Sequence, residues 1–532
     1  MFFKVTKSDK SVVVYDSIQS NNLSNLDAHT VTSQLLDFTT IKINCSNGFL
    51  EYIAIPACPD KELYFYQTQS EIIFSDDIYA LAGCLEKVHT NKSTADFFLN
   101  MSYTPGGETL VDGLMRLIPA RVYQINDGVF VNEKIQYNSD IYSKDKSAYL
   151  NFISCIEKIC SKESALGSVG IFFSGGVDSL ALALTLDNLG IPFTLYTGKM
   201  VQGLYDNEKD VLRSISIAKE KKWELKIITV DYNDYEFEDL HEIIDLMPSA
   251  SHLSALFLEI AKSMNEDGIK VCFSGQNVDI LYNFEATTSL GFNRGAFVNL
   301  ARRFFMSEMY FSTFDVSSKR KLVVSIIAKI LLLGYCLMRG SKHYRLPKSK
   351  DELFHNYTHN ADLTVFTATN SKKHDLKPKY SFSSDEGLRA ALIRSRIEES
   401  LTSGAPKSII NAGIISNVKV VLPYSYELLI PFFMNLKTSV KDIFYPKNFI
   451  HRFVNANIKN IEVHDLLPKG NLPSYHLWVE KVFPNTKLAK SLKTLDGDLD
   501  IKAATPALKL SYVLSYNWKT YLIKTIEEKR NE

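Results

Sequence analysis

Hydrophobic positions recur along the chain in two rhythms, and the change from one to the other divides it. Up to about residue 90, short runs rich in β-branched and aromatic residues (FFKV, SVVVYD, IKINC, FLEYIAI, ELYFYQT and EIIFSD) are separated by polar turn clusters. That spacing predicts a small, mainly antiparallel β module. From about residue 145 strands and helices alternate. Helices are predicted at 147–160, 178–188, 207–222, 236–246 and 252–264, and strands at 169–173, 192–197, 224–230 and 269–273. Alternation of this kind predicts an α/β fold with a doubly wound parallel sheet and ligands at the carboxyl ends of its strands. The C-terminal third reads as mostly helical. Two domains are therefore expected, 1–140 and 141–532, with an insertion at about 284–375.

Within that insertion the apolar run 322–338 is about 17 residues long, the lower limit for crossing a bilayer, and carries Lys329 at its middle. Basic residues flank it: Lys319, Arg320 and Lys321 before, Arg339, Lys342 and Arg345 after. A buried helix of the insertion accounts best for this pattern. A peripheral helix docked on the inner face of a membrane is the alternative, and a true span fits least.

Composition narrows the function. With 532 residues and 45% apolar content, the chain is long enough for two or three cored domains. Sixty basic and sixty acidic side chains cancel, so no overall field points to nucleic acid. The 7 cysteines and 11 histidines have no metal-ligand spacing, which argues against zinc and for reduced, cytoplasmic thiols. The N-terminus MFFKVTKSDKSVVV lacks the long apolar core of a signal peptide.

The chemistry centres on VGIFFSGGVDSLALALTLDNLG, residues 169–190. An apolar strand stops at Ser174, Gly175 and Gly176, and an apolar helix follows. This strand-bend-helix order makes an anion site. The glycines let backbone N–H groups approach a ligand, Ser174 and Ser179 add hydroxyls, and the helix start adds its positive dipole end. A carboxylate there would repel phosphate unless a divalent cation lay between them, which makes Asp178 a Mg²⁺ ligand. A bare Gly-Gly pair would be read as a capped turn, but SGGxDS behind an apolar strand is far more specific. GxxxxGK[ST], GxSxG and HExxH are all absent.

With these residues the chain resembles the PP-loop ATP pyrophosphatases, and among them the asparagine synthetase family. Two further segments carry the resemblance. ELYFYQTQSEIIFSDDIYALA is similar to the hairpin near the end of the family's glutaminase domain, and FFLNMSYTPGGETLVDGLMRLIPARVYQI to its linking segment. The resemblance implies a small degenerate Ntn-hydrolase-like, β-rich domain before the PP-loop domain. It also implies ATP on Ser174, Gly175, Gly176, Asp178 and Ser179, with Thr197, Gly198 and Gly275 around the nucleotide. The substrate carboxylate would attack the α-phosphate, giving an acyl-adenylate and pyrophosphate. Ser274-Gly275-Gln276-Asn277-Val278-Asp279 matches the family's SGEGSDE, which makes Asp279 the second Mg²⁺ ligand. YPKNFIHRF resembles the family's K-x-x-L-R helix and places Lys447 and Arg452 there. LPKGNLPSYHLW resembles P-K-x-G-F-x-x-P-x-x-x-W and places Lys469 at the phosphates, where a mobile point cation suits developing charge.

The departures are equally specific. Glutamine-hydrolysing members need a cysteine directly after the initiator Met, as nucleophile with its own amine as base. Here residue 2 is Phe2 and residue 3 is Phe3, so glutaminase activity is expected to be absent. Gln276 replaces a glutamate. It can orient an acceptor by hydrogen bonding but cannot take its proton. In VVLPYSYELLIPFF, similar to the family's R-V-P-F-L-D, Val421 replaces the arginine and Glu427 is the nearest acid. The resulting expectation is an ATP- and Mg²⁺-dependent amide-bond synthetase whose partners are a small-molecule carboxylate and ammonia or an amine. Amidation of a uronic-acid sugar in surface-polysaccharide biosynthesis, asparagine synthesis, and peptide or β-lactam-type cyclisation compete as its reaction. A non-catalytic scaffold is the reading from a different class.

Overall fold

The computed structural model describes residues 2–14, 41–101, 104, 106–135, 146–201, 208–231, 233–234, 254–278, 281, 385–399, 404–435, 447–458, 487, 490, 517 and 519–529. The first part contains β1 (Phe2–Thr6), β2 (Val12–Val14), β3 (Lys42–Ser46), β4 (Phe49–Ile55), β5 (Tyr64–Gln67) and β6 (Glu71–Ser75). After these come α1 (Ile78–Ala82), α2 (Lys92–Met101), β7 (Leu114–Arg116), β8 (Arg121–Asn126) and β9 (Val129–Lys134). Each of the six predicted β runs is a strand. They build two antiparallel sheets, ordered β2-β1-β6-β5-β7 and β3-β4-β8-β9. Alternation along β1 buries Phe3 and Val5. They share one core with Phe74 of their own sheet and with Leu50, Ile53 and Tyr123 of the other. Phe3 stacks on Phe74 with ring centroids 4.7 Å apart.

The second part contains α3 (Lys146–Ser164), β10 (Val169–Phe172), α4 (Val177–Asn188), β11 (Phe193–Met200), α5 (Glu208–Lys221), β12 (Glu224–Val230), α6 (Ser254–Glu266) and β13 (Val271–Ser274). It continues through α7 (Asp385–Glu399), α8 (Gly404–Ile415), β14 (Lys419–Val421), a 3-10 turn (Pro423–Ser425), α9 (Ile430–Asn435) and α10 (Asn448–Asn457). Its five strands pair in parallel in the order β12-β11-β10-β13-β14. The mixed α/β fold with a parallel sheet is therefore as the sequence pattern predicts. Ile171 of β10 lies opposite Leu195 on one side and Phe273 on the other.

β10 sits at the centre and is buried on both faces. Val169, Ile171 and Phe173 enter a core with Leu180 of α4 and Ile450 of α10. Phe172 enters a second core with Phe257 and Ala261 of α6 and Ile409 of α8. α4 is buried continuously from Ser179 to Thr185 and beyond to Leu186, which is why its sequence is apolar all round. From β10 the chain first builds the sheet outward through β11 and β12, then crosses to the other side for β13. The order reverses between β10 and β13, and a ligand crevice is expected outside their carboxyl ends. The short strand β14 was not anticipated. Only three residues long and separated from Pro423 by Leu422 alone, it carries no alternation to recognise.

Buried polar contacts join the β sheets to the parallel sheet. Glu427 accepts a hydrogen bond from the Ala57 N–H. Arg116, paired with Glu62 at 3.3 Å within the first part, reaches the Glu398 carbonyl at 3.5 Å, Arg121 pairs with Glu398 at 2.9 Å, and Arg394 donates to the Ile135 carbonyl at 3.2 Å. The helical stretch 519–529 returns to the first part, placing Leu522 and Ile526 in a core with Phe98 and Leu110. The domain boundary expected near 140, the insertion and the apolar run 322–338 lie outside the described residues. Among the described residues no helix is long and apolar enough to cross a membrane.

Candidate active site

The end of β10 and the start of α4 form the bend predicted at Ser174. Gly175 has φ +65°, and a Cβ there would stand 2.9 Å from Ser214 Oγ and 3.2 Å from the Asp210 carbonyl. Only glycine satisfies both the left-handed backbone and the approach of α5. Gly176 is the N-cap of α4 and supplies no side-chain cap. The helix therefore presents its first-turn N–H groups without a side chain covering them. Ser179 Oγ donates to the Gly176 carbonyl at 3.1 Å and accepts from the Ser174 N–H at 3.3 Å, cross-tying the bend.

The loop after β13 lies directly against this bend. A Cβ on Gly275 would stand 2.9 Å from both Asp178 Cβ and Ser179 N, so the two loops touch because residue 275 has no side chain. Between them, and extending past β11, lies a cleft of about 370 Å³ lined by Ser174, Asp178, Ser179, Thr197, Gly198, Gly275 and Gln276 among others. Ten predicted site residues thus come together: the seven named in the lining, Gly175 and Gly176 of the bend, and Lys447 through its contact with Asp178. Thr197 Oγ1 donates to the Phe173 carbonyl, locking β11 to the end of β10. At Gly198 a Cβ would stand 2.4 Å from Leu256 Cδ1, so the glycine lets α6 close the apolar wall.

Asp178 is the electrostatic centre. Its Oδ2 lies 2.6 Å from Lys447 Nζ, and the two side chains are 13% and 10% exposed. Lys447 reaches it from the N-cap of α10 in a left-handed conformation, φ 62°. Tyr424, after β14, donates its hydroxyl to the Asp178 backbone carbonyl at 3.0 Å. Burial pushes the Tyr424 phenol well above its ordinary value, and the charge of Asp178 adds to this, so the hydroxyl stays a donor. A second acid, Asp210 of α5, also lines the cleft and pairs with Arg213 at 3.5 Å. Among the described lining residues there is no lysine or arginine.

Asp279 and Lys469 lie outside the described residues. Tyr424, Asp210 and Asn277 were not singled out from the sequence. For Asn277 the signal was present: it stands where the similar family segment SGEGSDE has its second glycine.

The bend fits a polyphosphate, since a helix start without a side-chain cap lies beside a cleft into which the Ser174 and Ser179 positions open. Among the described residues no group of three His, Cys, Asp or Glu could cage a metal. Of the described cleft residues, Asp178 and Asp210 offer hard carboxylate oxygens. That donor set suits a Mg²⁺ shared with phosphate oxygens rather than an all-protein site.

The glycine bend lies at the switch point of the parallel sheet, and sequence comparison finds a matching family model for the segment around it. The family model for asparagine synthase matches residues 163–283, which contain both loops. The chain thus carries an asparagine synthase-type domain over these residues. Comparison with curated proteins finds no match. A solved structure that matches is the U34-tRNA thiolase NcsA from Methanococcus maripaludis with its 4Fe-4S cluster. It is 18% identical over 53% of this chain and 83% of that one, with a TM-score of 0.21.

Proposed function

We propose that this protein is an ATP- and Mg²⁺-dependent amide-bond synthetase. The carboxylate oxygen of an acid substrate attacks the α-phosphorus of ATP, the bond to pyrophosphate breaks, and an acyl-adenylate remains. Ammonia or an amine then attacks the acyl carbon, AMP departs with the bonding pair, and the nitrogen loses a proton. Ser174, Gly175, Gly176 and Ser179 hold the phosphates. Asp178, with Asp279, holds Mg²⁺, which neutralises phosphate charge. Lys447 and Lys469 balance charge developing at the α-phosphate. Gln276 orients the acceptor. The observation that carries this reading is the contact of the two motif loops at Gly275, with Asp178 under the Lys447 ammonium.

The proposed acid is a uronic-acid sugar of surface-polysaccharide assembly. The Gln276 departure and the long insertion favour a non-standard acceptor. Phe2 in place of the nucleophilic cysteine favours free ammonia or an amine over glutamine. We place domain boundaries at about 140 and the protein in the cytoplasm.

Pyrophosphate release with ATP, Mg²⁺, ammonium and a panel including nucleotide-linked uronic acids and aspartate tests this directly. Turnover of a uronic acid is expected, and glutamine should yield no glutamate. Turnover of aspartate alone would make the protein an asparagine synthase. Neither ATP binding nor turnover with any acid would replace the enzyme with a scaffold.

A further inference from the structure

The loop carrying Gln276 is held from behind by a hydrogen-bonded node. Asn277 is 3% exposed and has φ +75°, a left-handed conformation that asparagine tolerates better than most side chains. Its Nδ2 donates to Ser425 Oγ at 2.8 Å and lies 3.9 Å from Cys58 Sγ. Ser425 is buried at the end of the 3-10 turn that follows β14. Cys58 belongs to the loop after β4, whose neighbouring Ala57 N–H donates to Glu427. The loop after β13, the turn after β14 and the N-terminal β part thus meet at one point. Burial pushes the Cys58 thiol up to about 12, so it stays protonated and acts as a packed polar group, not a nucleophile.

A glycine at 277 would allow the same backbone but could tie it to nothing. Asparagine keeps the conformation and adds a donor with two partners in separate parts of the chain. Gln276, next to it, faces the cleft, and its N–H is 3.4 Å from Ser274 Oγ, a weak restraint. The firm restraint on the loop therefore lies one residue further on.

We propose that Asn277 is a positioning residue. By tying its loop to Ser425 and to the Cys58 segment, it fixes Gln276 at the cleft for the incoming acceptor and makes the N-terminal β part a structural component of the synthetase site. The acceptor role of Gln276 rests on the function proposed above.

Hydrogen exchange on the full-length protein, read on a peptide covering 271–278, tests the tether without any substrate. Asn277→Gly and Ser425→Ala should each speed exchange at Gly275 and Gln276 by about tenfold, the equivalent of one lost buried hydrogen bond. Val271 to Phe273, inside β13, should remain protected, and Ser425→Thr, which keeps the hydroxyl, should exchange as wild type. In turnover of any acid from the panel, the same two variants should raise KM for ammonium, and Ser425→Thr should not. Wild-type exchange in both Asn277→Gly and Ser425→Ala would overturn the assignment, as would equal loss of protection throughout β13. A wild-type protein that binds no ATP would instead remove the amide-forming reading and leave the tether standing.

Discussion

Lys447 and Asp178 lie 269 positions apart in the chain and 2.6 Å apart in the fold, with both side chains largely withdrawn from water. The lysine comes from the start of α10 and the carboxylate from the first turn of α4, so the pair ties α10 to the glycine bend after β10. Removing one partner of a buried pair leaves the other charge desolvated and uncompensated. Lys447 also pays for its place with a left-handed backbone, strain that its contact with Asp178 helps to hold. Lys447→Met should therefore destabilise the protein by about 3 kcal/mol. Asp178→Asn in the same background should restore part of the loss, because no lone charge remains. Denaturant melts of the two single variants and the double variant check this, and simple additivity would show that the charges do not interact.

The same contact bears on the metal. A divalent ion engaging Asp178 Oδ2 must displace the ammonium, which acts as an internal competitor. Free Mn²⁺ measured by electron paramagnetic resonance, without nucleotide, should show tighter binding to Lys447→Met than to wild type, and no binding to Asp178→Asn. Equal affinity in wild type and Lys447→Met would mean that the ion does not approach that oxygen.

Gly275→Ala tests the contact between the loops. Its Cβ would overlap Asp178 Cβ and the Ser179 backbone, neither of which is the free end of a flexible side chain. Overpacking of this kind costs roughly 1–3 kcal/mol, and here the strain falls on the bend itself. We expect affinity for a fluorescent ATP analogue to fall by at least about tenfold, as a cost near 1.4 kcal/mol requires. Unchanged nucleotide affinity would place the phosphates away from Gly275.

Much of this arrangement was legible because it is local. FFKV, FLEYIAI and EIIFSD alternate, and alternation is a property of neighbours; the Ser174 bend is read within six residues for the same reason. The pairing of Lys447 with Asp178 is a tertiary event that no spacing rule reaches, although each residue stands in a recognisable local segment of its own. Glu427 is the nearest acid in a segment similar to the family's, and its carboxylate accepts the Ala57 N–H at the seam with the β sheets, a tertiary contact that no local pattern shows. β14, at three residues, is too short for a period to show.

Glu427→Ala follows from that placement. The change leaves the Ala57 N–H without its buried acceptor, a loss of roughly 1–3 kcal/mol, whereas Glu427→Gln keeps a carbonyl oxygen in reach. The alanine variant should melt at lower temperature and be cut more readily by protease near residues 56–62, with glutamine close to wild type. If both variants match wild type, the seam does not depend on this bond.

His451, one turn into α10, links stability to pH. Burial lowers its pKa below the ordinary value of 6.5, and the positive charge of Lys447 lowers it further. The folded protein therefore resists protonation at a pH where the unfolded chain accepts a proton. The sign follows: the contribution is intact above the unfolded value, near pH 6.5, and is lost progressively as pH falls toward the lower folded value. One such group can contribute a slope of at most about 1.4 kcal/mol per pH unit. Melting temperatures from pH 7.5 down to 5 should fall more steeply for wild type than for His451→Gln, so that the difference isolates this histidine from the others. Parallel curves would mean that His451 takes up its proton as readily in the folded protein as in the unfolded chain.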